Sequence, residues 1–200
     1  MQTLLDGYRR FRDGAWPDRR AVFERLAAQG QRPRTMVIAC SDSRVDPGMI
    51  FDAGPGELFV VRNVANLVPP YQPDGQYHGT SAALEFGICS LGIGELIVMG
   101  HALCGGVHAL LADGEPPGDF VGPWIRLADR ARTRVLACDT PDRQLAGEHE
   151  VVRVSIENLA TFPWIADRVA DGRLRLHGMH FDVRSGVLAR LGPDDTFQAA

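Results

Sequence analysis

The sequence predicts an alpha/beta fold in which a sheet with a parallel core is flanked by helices. Three short apolar segments without polar alternation have the pattern of strands buried on both faces, at 35–40, 58–61 and 95–100. Between the second and third of them, residues 80–91 carry apolar side chains at helical spacing. Strands that alternate with helices indicate parallel pairing through right-handed crossovers.

The length of 200 residues and the 45% hydrophobic content suffice for one well-filled core, so we expect a single domain over residues 1–200. Residues 1–30 are predicted to form an N-terminal helical arm. The arm is predicted as two helices, at 2–14 and 17–29, because Pro17 suits the first turn of a new helix.

The C-terminal half continues with helices and ends in strands. Helices are predicted at 105–112, 122–137 and 147–169, and a loop is predicted at 113–118. Residues 174–181 alternate apolar and polar side chains, as a strand with one buried face does. Residues 187–191 are predicted to pair with them as a hairpin strand at the edge of the sheet.

Composition excludes several classes of function. The formal net charge of -4 gives no basic field for nucleic acid. All 21 basic residues are arginine, so Schiff-base chemistry and a P-loop lysine are excluded. The N-terminal segment has no continuous apolar core and no segment is long enough to span a membrane, so we expect a cytoplasmic protein. Four cysteines in that setting are expected to be reduced thiols, which makes metal binding the relevant question.

Two of the predicted strands end in residues that are able to bind a metal. The first ends in Cys40 and is followed by Asp42 and Arg44, and the third is followed by His101 and Cys104. Ligands of parallel sheets bind beyond the carboxyl ends of the strands, so these residues are expected to meet. Two thiolates, one imidazole and one carboxylate suit tetrahedral zinc.

The ligand inventory indicates a catalytic zinc site, because a structural site usually has four Cys or His ligands. Such a site keeps a position for water, whose pKa falls to about 7 on the metal. Two roles are open to Asp42. Paired with Arg44, it accepts a hydrogen bond from the metal-bound hydroxide; released from Arg44, it becomes a fourth ligand and closes the site. Gly105 and Gly106 allow backbone N–H groups to approach an oxygen of the substrate or a thiolate.

The segments ACSDSRVDP, GELFVVRNVAN and VMGHALCGG resemble the beta-class carbonic anhydrases. The similarity covers about residues 31–111, with a weaker similarity in LHGMHFD, and the CxDSR and HxxC motifs are specific as an ordered pair. The resemblance implies one zinc ion per subunit, with Asp42 and Arg44 as the catalytic pair. The implied zinc ligands are Cys40, His101 and Cys104.

The resemblance also implies a substrate pocket for a small apolar gas, built at a subunit interface. Its implied residues are Gln31, Phe59, Val64 and Phe86, together with Gly105. Phe86 stands where plant-like members of the family have a tyrosine, which removes a hydroxyl and keeps the apolar wall. Members with a closed site have a tryptophan three residues before the first cysteine. Val37 stands there, which favours the plant-like subgroup with an open site.

The predicted activity is therefore that of a zinc lyase, which hydrates carbon dioxide reversibly to bicarbonate and a proton through a zinc-bound hydroxide. Two alternatives remain at this point: hydrolysis of carbonyl sulfide or carbon disulfide on the same zinc, and a non-catalytic zinc structural or sensor protein. In the resembling family the helical arm embraces a second subunit. We therefore expect a homodimer or a tetramer of dimers with a small-molecule substrate, and neither nucleic acid nor a membrane as partner.

Cysteine and histidine residues outside the two motifs are expected to have ordinary structural roles. Cys89 and Cys138 are interpreted as small buried hydrophobic residues. Histidines outside a motif are more often surface residues or hydrogen-bonded core residues than ligands. This interpretation covers five residues: His78, His108, His149, His177 and His180.

Overall fold

A six-stranded sheet forms the centre of the computed structural model, which describes residues 1–114 and 118–200. The strands are β1 (Thr35–Cys40), β2 (Leu58–Asn63), β3 (Glu95–His101), β4 (Arg175–Phe181), β5 (Leu188–Leu191) and β6 (Phe197–Ala199). Their order in the sheet is β2-β1-β3-β4-β5-β6. The first four pair in parallel, and β5 and β6 are added antiparallel. The predicted fold class is confirmed, and the predicted loop at 113–118 lies partly outside the described residues.

Helices cover the sheet. They are α1 (Gln2–Arg10), α2 (Trp16–Gln29), α3 (Pro47–Ile50), α4 (Gly79–Glu85), α5 (Gly105–Leu111), α6 (Val121–Ile125), α7 (Asp129–Ala137), α8 (Arg143–Leu159) and α9 (Pro163–Ala170). Short π-helical turns occupy Phe11–Ala15 and Phe86–Ser90, and 3-10 turns occupy Val64–Asn66 and Arg126–Ala128. Among the described helices, none combines the length and apolar character that crossing a bilayer requires.

The register of the parallel strands brings their carboxyl ends to one edge. Cys40 at the end of β1 lies opposite Asn63 at the end of β2. His101 at the end of β3 lies opposite Phe181 at the end of β4. β1 and β3 are almost entirely buried, as their unbroken apolar sequences predict. The same prediction is wrong for β2, which is only partly buried because it lies at an edge of the sheet. The loops that leave these strands are therefore held by a rigid core.

Helix α8 lies unusually close to the two strands in the middle of the sheet. A Cβ atom added to Gly100 in β3 would lie 2.8 Å from Cγ2 of Val152. A Cβ atom added to Gly178 in β4 would lie 3.0 Å from Cγ1 of the same valine. The absence of a side chain at these two glycines thus determines how near α8 comes to the end of β3.

The N-terminal arm has no break at the predicted position. Phe11–Ala15 forms a π-helical turn that joins α1 to α2 without interruption, so the prediction of two separate helices is wrong. The N–H of Trp16 bonds to the oxygen of Phe11, five residues back. This wider turn makes room for the ring of Pro17, which has no N–H to donate.

The single helix predicted at 147–169 is two helices, α8 and α9. Pro163 begins α9, and the residue before a proline is disfavoured in helical conformation. Phe162 accordingly has φ -79 and ψ 114, and the chain turns there. Helix α8 also begins earlier than predicted, because the side chain of Asp142 accepts a hydrogen bond from the N–H of Leu145 and caps it.

Strand β6 forms one edge of the sheet, opposite β2, and it was not predicted from the sequence. It comprises three residues that pair with β5, so it is too short to show an alternating pattern. The predicted hairpin strand is present as β5, and it is the second strand from the edge.

Candidate metal centre

Cys40, His101 and Cys104 come together at the carboxyl edge of the sheet. Cys40 ends β1, His101 ends β3, and Cys104 precedes the first residue of α5. All three are buried, and their ligand atoms lie within 4.8 Å of one another. The two sulfur atoms are 4.0 Å apart. Cys40 lies far from His101 and Cys104 along the chain, and the parallel register of β1 and β3 brings the three into one cluster.

The imidazole of His101 has one occupied nitrogen and one without a partner. Its Nδ1 donates to the carbonyl oxygen of Ala102 at 2.9 Å, which leaves Nε2 as an acceptor. Nε2 is buried and, among the residues that the structure describes, no group bonds to it. A buried acceptor beside two sulfur atoms fits a metal ion, and a nitrogen and two sulfurs form the donor set of zinc.

The two thiols share their protons unequally. The hydrogen bond with Cys104 is the main cause that lowers the pKa of Cys40, and burial opposes it. The same contact raises the pKa of Cys104 above its ordinary value, and burial adds to that. A cation that displaced the proton on Cys104 would gain a second thiolate ligand, because it is the thiolate that binds metal.

Two residues beside the cluster adopt the left-handed backbone conformation without being glycine. Ala65 has φ 62 and Leu103 has φ 59. The backbone of Ala65 contributes to lowering the pKa of Cys40 by hydrogen bonding. A Cβ atom on Gly106 would lie 2.9 Å from that of Ala65. Strained conformations of this kind persist where the surrounding structure holds them, often at functional sites.

Asp42 lies at the mouth of the cluster and is held there by Arg44. Arg44 Nε donates to Asp42 Oδ1 at 2.9 Å, and Nη2 donates to Oδ2 at 2.7 Å. These hydrogen bonds are the main cause that holds the pKa of Asp42 well below its usual range. Oδ2 of Asp42 lies 4.0 Å from Nε2 of His101, the nitrogen without a partner. The carboxylate is thus charged, oriented and adjacent to the candidate metal position.

Arg62 fixes the loop that carries this pair. Its Nε donates to the oxygen of Cys40 at 2.9 Å, and its Nη2 donates to the oxygen of Asp42. It also forms an ion pair with Asp46 at 3.2 Å. The backbone at Cys40 and at Asp42 is therefore tied to β2.

Comparison with known proteins decides the family. A profile of the carbonic anhydrase family matches residues 35–188, which is most of the chain. The chain is a beta-carbonic anhydrase.

Relatives and solved structures agree with this assignment over the whole length. The carbonic anhydrase of Synechococcus elongatus is 38% identical over an alignment of 205 positions, which covers 98% of this chain and 74% of the relative. The structure of the beta-carbonic anhydrase CcaA superposes with a TM-score of 0.91 at 34% identity, covering 100% of this chain and 99% of the other. A tetrameric beta-carbonic anhydrase from Sordaria macrospora gives 0.83 at 28% identity, covering 96% of each chain. The chain is therefore an enzyme, a lyase of the carbonic anhydrase type.

Two of the predicted pocket residues lie beside the cluster of this carbonic anhydrase. Val64 follows β2, and its Cγ1 lies 3.1 Å from the position of a Cβ atom on Gly106. Gly105 begins α5 directly after Cys104, and a Cβ atom there would meet nothing within 4 Å. The backbone at Gly105 is thus open to a small ligand.

The other three predicted pocket residues lie elsewhere on the same chain. Phe59 pairs with Met36, four residues before the end of β1, which corresponds to about 13 Å along the strand. The rings of Phe59 and Phe86 lie 6.0 Å apart, and Phe86 is 49% exposed. Gln31 is exposed before the amino end of β1. One chain therefore does not bring these residues to its own cluster.

The residues that lie behind Cys104 were not predicted from the sequence. Glu148 Oε1 accepts a hydrogen bond from the N–H of Cys104 at 3.2 Å, and Gln144 Nε2 donates to its carbonyl oxygen at 3.1 Å. His180 Nε2 lies 3.0 Å from Oε2 of Glu148. Gln144 and Glu148 are four apart on one helix face, but nothing in the sequence relates that face to Cys104.

Proposed function

We propose that the chain hydrates carbon dioxide reversibly to bicarbonate and a proton at a zinc ion held by Cys40, His101 and Cys104. The observation that carries the proposal is the buried Nε2 of His101, which faces two sulfur atoms and has no partner among the described residues. Membership of the carbonic anhydrase family supports the reaction.

Zinc in this position would supply a Lewis acid that lowers the pKa of a water molecule to near neutrality. The chain would bind it through one neutral nitrogen and two thiolates, which balance the charge of a dication. Asp42 is the remaining candidate ligand nearby, and its engagement with Arg44 supports an open position for water. This supports the open-site interpretation that Val37 suggests.

Asp42 would orient the attacking water. Its oxygen lies 4.0 Å from the nitrogen of His101 that faces the metal position, so it is placed to accept a hydrogen bond there. The lowered pKa of Asp42 keeps it an acceptor at all working pH values. In this position the carboxylate would direct a lone pair of the water towards the carbon of carbon dioxide. Arg44 would hold the carboxylate in this orientation and away from the metal.

Assembly would complete the pocket. Gln31, Phe59 and Phe86 lie away from the cluster of their own chain and have exposed or half-exposed side chains. A second copy would bring them to the site, which supports a homodimer or a tetramer of dimers. The tetrameric relative from Sordaria macrospora is consistent with the larger assembly. The single domain over residues 1–200 and the cytoplasmic location stay predictions, testable by limited proteolysis and cell fractionation.

The decisive experiment combines metal analysis with stopped-flow hydration of carbon dioxide at several pH values. We expect one zinc per chain, and hydration far faster than that of zinc in buffer. The variant Asp42→Asn should retain zinc and lose most of the turnover, since an amide accepts poorly from the attacking water.

The chain contains a matched control for this variant. Arg173 holds Asp171 with the same two-residue spacing and a 2.7 Å hydrogen bond, outside the site. The variant Asp171→Asn should leave turnover unchanged. Zinc loss in Asp42→Asn equal to that in Cys40→Ala would instead make Asp42 chiefly a ligand. Faster turnover of carbonyl sulfide or carbon disulfide than of carbon dioxide would replace the proposed substrate.

A further inference from the structure

Helix α8 holds both backbone groups of Cys104. The N–H of Cys104 donates to Glu148 Oε1 at 3.2 Å, and its carbonyl oxygen accepts from Gln144 Nε2 at 3.1 Å. The same nitrogen of Gln144 donates to Glu148 Oε1 at 2.7 Å, so the two side chains support each other. Two residues of one helix thus hold both polar groups of a single backbone residue.

The position of Cys104 explains why its backbone needs this support. It is the N-terminal capping residue of α5, with φ -68 and ψ 118, and its side chain makes no cap hydrogen bond because the sulfur points into the cluster. It follows Leu103, which has the strained φ of 59. The N–H of Cys104 is not bonded within α5, so without Glu148 it would be buried and unsatisfied. Rotation of this peptide would displace the sulfur.

The carboxylate of Glu148 is itself fixed from the opposite side. Its Oε2 lies 3.0 Å from Nε2 of His180, and both side chains are almost completely buried. His180 lies opposite Gly100 in the sheet. A Cβ atom on Gly100 would lie 3.5 Å from the backbone oxygen of Glu148, so the glycine allows the close approach of α8.

The rings of His149 and Phe197 cover His180 on its outer side. His149 packs edge-on against His180 at 4.8 Å, and Phe197 stacks on His149 at 4.0 Å. Strand β6 therefore covers the buried pair of Glu148 and His180. Burial of a carboxylate is costly and an apolar side chain would often serve stability equally well, so its presence here indicates a task other than filling space.

We propose that Glu148 and Gln144 are positioning residues, which hold the Cys104 peptide so that its sulfur reaches the metal. The inference rests on the proposed zinc site and adds to it the residues that orient one ligand. Outer contacts of this kind commonly change metal affinity by about 10- to 100-fold.

The test uses the full-length protein loaded with Co²⁺, in which thiolate bonds to the metal give a charge-transfer absorption band. Two quantities are measured: the position and intensity of that band, and the rate of metal release to a chelator. Glu148→Ala should release metal about 10-fold faster or more, with an altered band. Glu148→Gln should restore both quantities towards those of the unmodified protein, since its amide oxygen still accepts from the N–H of Cys104.

A matched control lies on the same helix. Asn158 is buried in α8 and donates to the oxygen of Val68 at 2.7 Å, away from Cys104. Asn158→Ala should lower the melting temperature and leave the band and the release rate unchanged. This separates loss of stability from loss of ligand position.

Several outcomes would overturn the inference. A folded Glu148→Ala with an unchanged band and release rate would do so. If Glu148→Gln released metal as fast as Glu148→Ala, the loss of metal would be due to the lost charge, and the positioning role would be wrong. If Glu148→Ala does not fold, the same measurements on Gln144→Ala decide the question. An unchanged rate of metal release in that variant would contradict the proposal. Failure of the unmodified protein to bind Co²⁺ or zinc would refute the zinc site itself.

Discussion

Arg44 binds Asp42 through two parallel hydrogen bonds, with Nε 2.9 Å from Oδ1 and Nη2 2.7 Å from Oδ2. The Nη2 atom also donates to the oxygen of Leu103 at 3.2 Å, so the guanidinium connects the loops that follow β1 and β3. Arg44 therefore competes with a metal ion in the cluster for the carboxylate of Asp42.

Removal of that arginine should redirect the carboxylate. In Arg44→Ala we expect Asp42 to move onto the zinc, because a dication then attracts it without competition. Turnover should fall by about 100-fold or more, since both the orientation and the open position are lost. A crystal structure near pH 8 measures the distance from Asp42 to the metal.

Arg173→Ala provides the control, because Arg173 binds Asp171 with the same spacing outside the site. It should leave turnover unchanged. A bond of about 2.2 Å between Asp42 and zinc in the unmodified protein would show that the open-site interpretation is wrong.

Each of the three proposed ligands should be needed for zinc. Replacement of Cys40, His101 or Cys104 by Ala leaves two protein ligands, and metal affinity falls steeply when a position is lost. Metal analysis after dialysis should find zinc far below one per chain. Cys89 and Cys138 are exposed, so the expectation that they are buried is wrong. Both lie outside the cluster, and their Ser variants should keep full zinc. Full zinc in any ligand variant would remove that residue from the set.

Gly106 and Gly105 should respond differently to the same substitution. A Cβ atom on Gly106 meets Ala65 at 2.9 Å and Val64 at 3.1 Å, whereas one on Gly105 meets nothing within 4 Å. Gly106→Ala should cost about 1–3 kcal/mol of unfolding free energy through overpacking. Gly105→Ala should be close to neutral. Urea unfolding of both variants measures the difference, and equal effects would contradict the packing described here.

His149 should make stability fall at mildly acidic pH. Burial, followed by the charge of His180, lowers the pKa of His149 to about 4. In the unfolded chain a histidine has a pKa of about 6.5. Between these values the unfolded state binds the proton first, so the unfolding free energy decreases as pH falls from about 6.5 to about 4.

The variant His149→Phe isolates this effect, because a phenyl ring can still stack on Phe197 and does not titrate. Neighbouring charges on Glu148, Arg153 and His180 are present in both proteins. Urea unfolding at pH steps from 7.5 to 5 should show the unmodified protein losing stability relative to the variant. The slope should stay below about 1.4 kcal/mol per pH unit, since the ring is partly exposed. If the unfolding free energies of the two proteins changed in parallel with pH, the pH dependence would not come from His149.

The sequence contains enough information for the parallel core and the cluster. Buried parallel strands have unbroken apolar sequences, and the residues after them must meet at the carboxyl edge. Cys40 and His101 could therefore be related across 60 residues by pattern alone.

Other features depend on tertiary contacts that leave no local pattern. Glu148 touches Cys104 only because Gly100 lets α8 approach β3, and that distance is not encoded near either residue. The break at Pro163 was readable from the sequence, since a proline disfavours helix at the preceding residue. The π-helical turn before Pro17 was not, because a proline there equally suits the start of a new helix.

The unbroken helix of the arm has a consequence for how the enzyme behaves when diluted. In the described range 2–29 no residue is buried against the rest of the chain. Helices in water owe most of their stability to packing of an apolar face. Leu26 lies close to Gly56 of the same chain, and in the proposed assembly the remaining contacts that stabilise the arm would come from a second copy. Unfolding free energy then depends on the concentration of protomers by mass action. At high dilution, subunit dissociation would release Gln31 together with the arm and leave a zinc cluster without its full pocket, so specific activity would fall before the sheet unfolds.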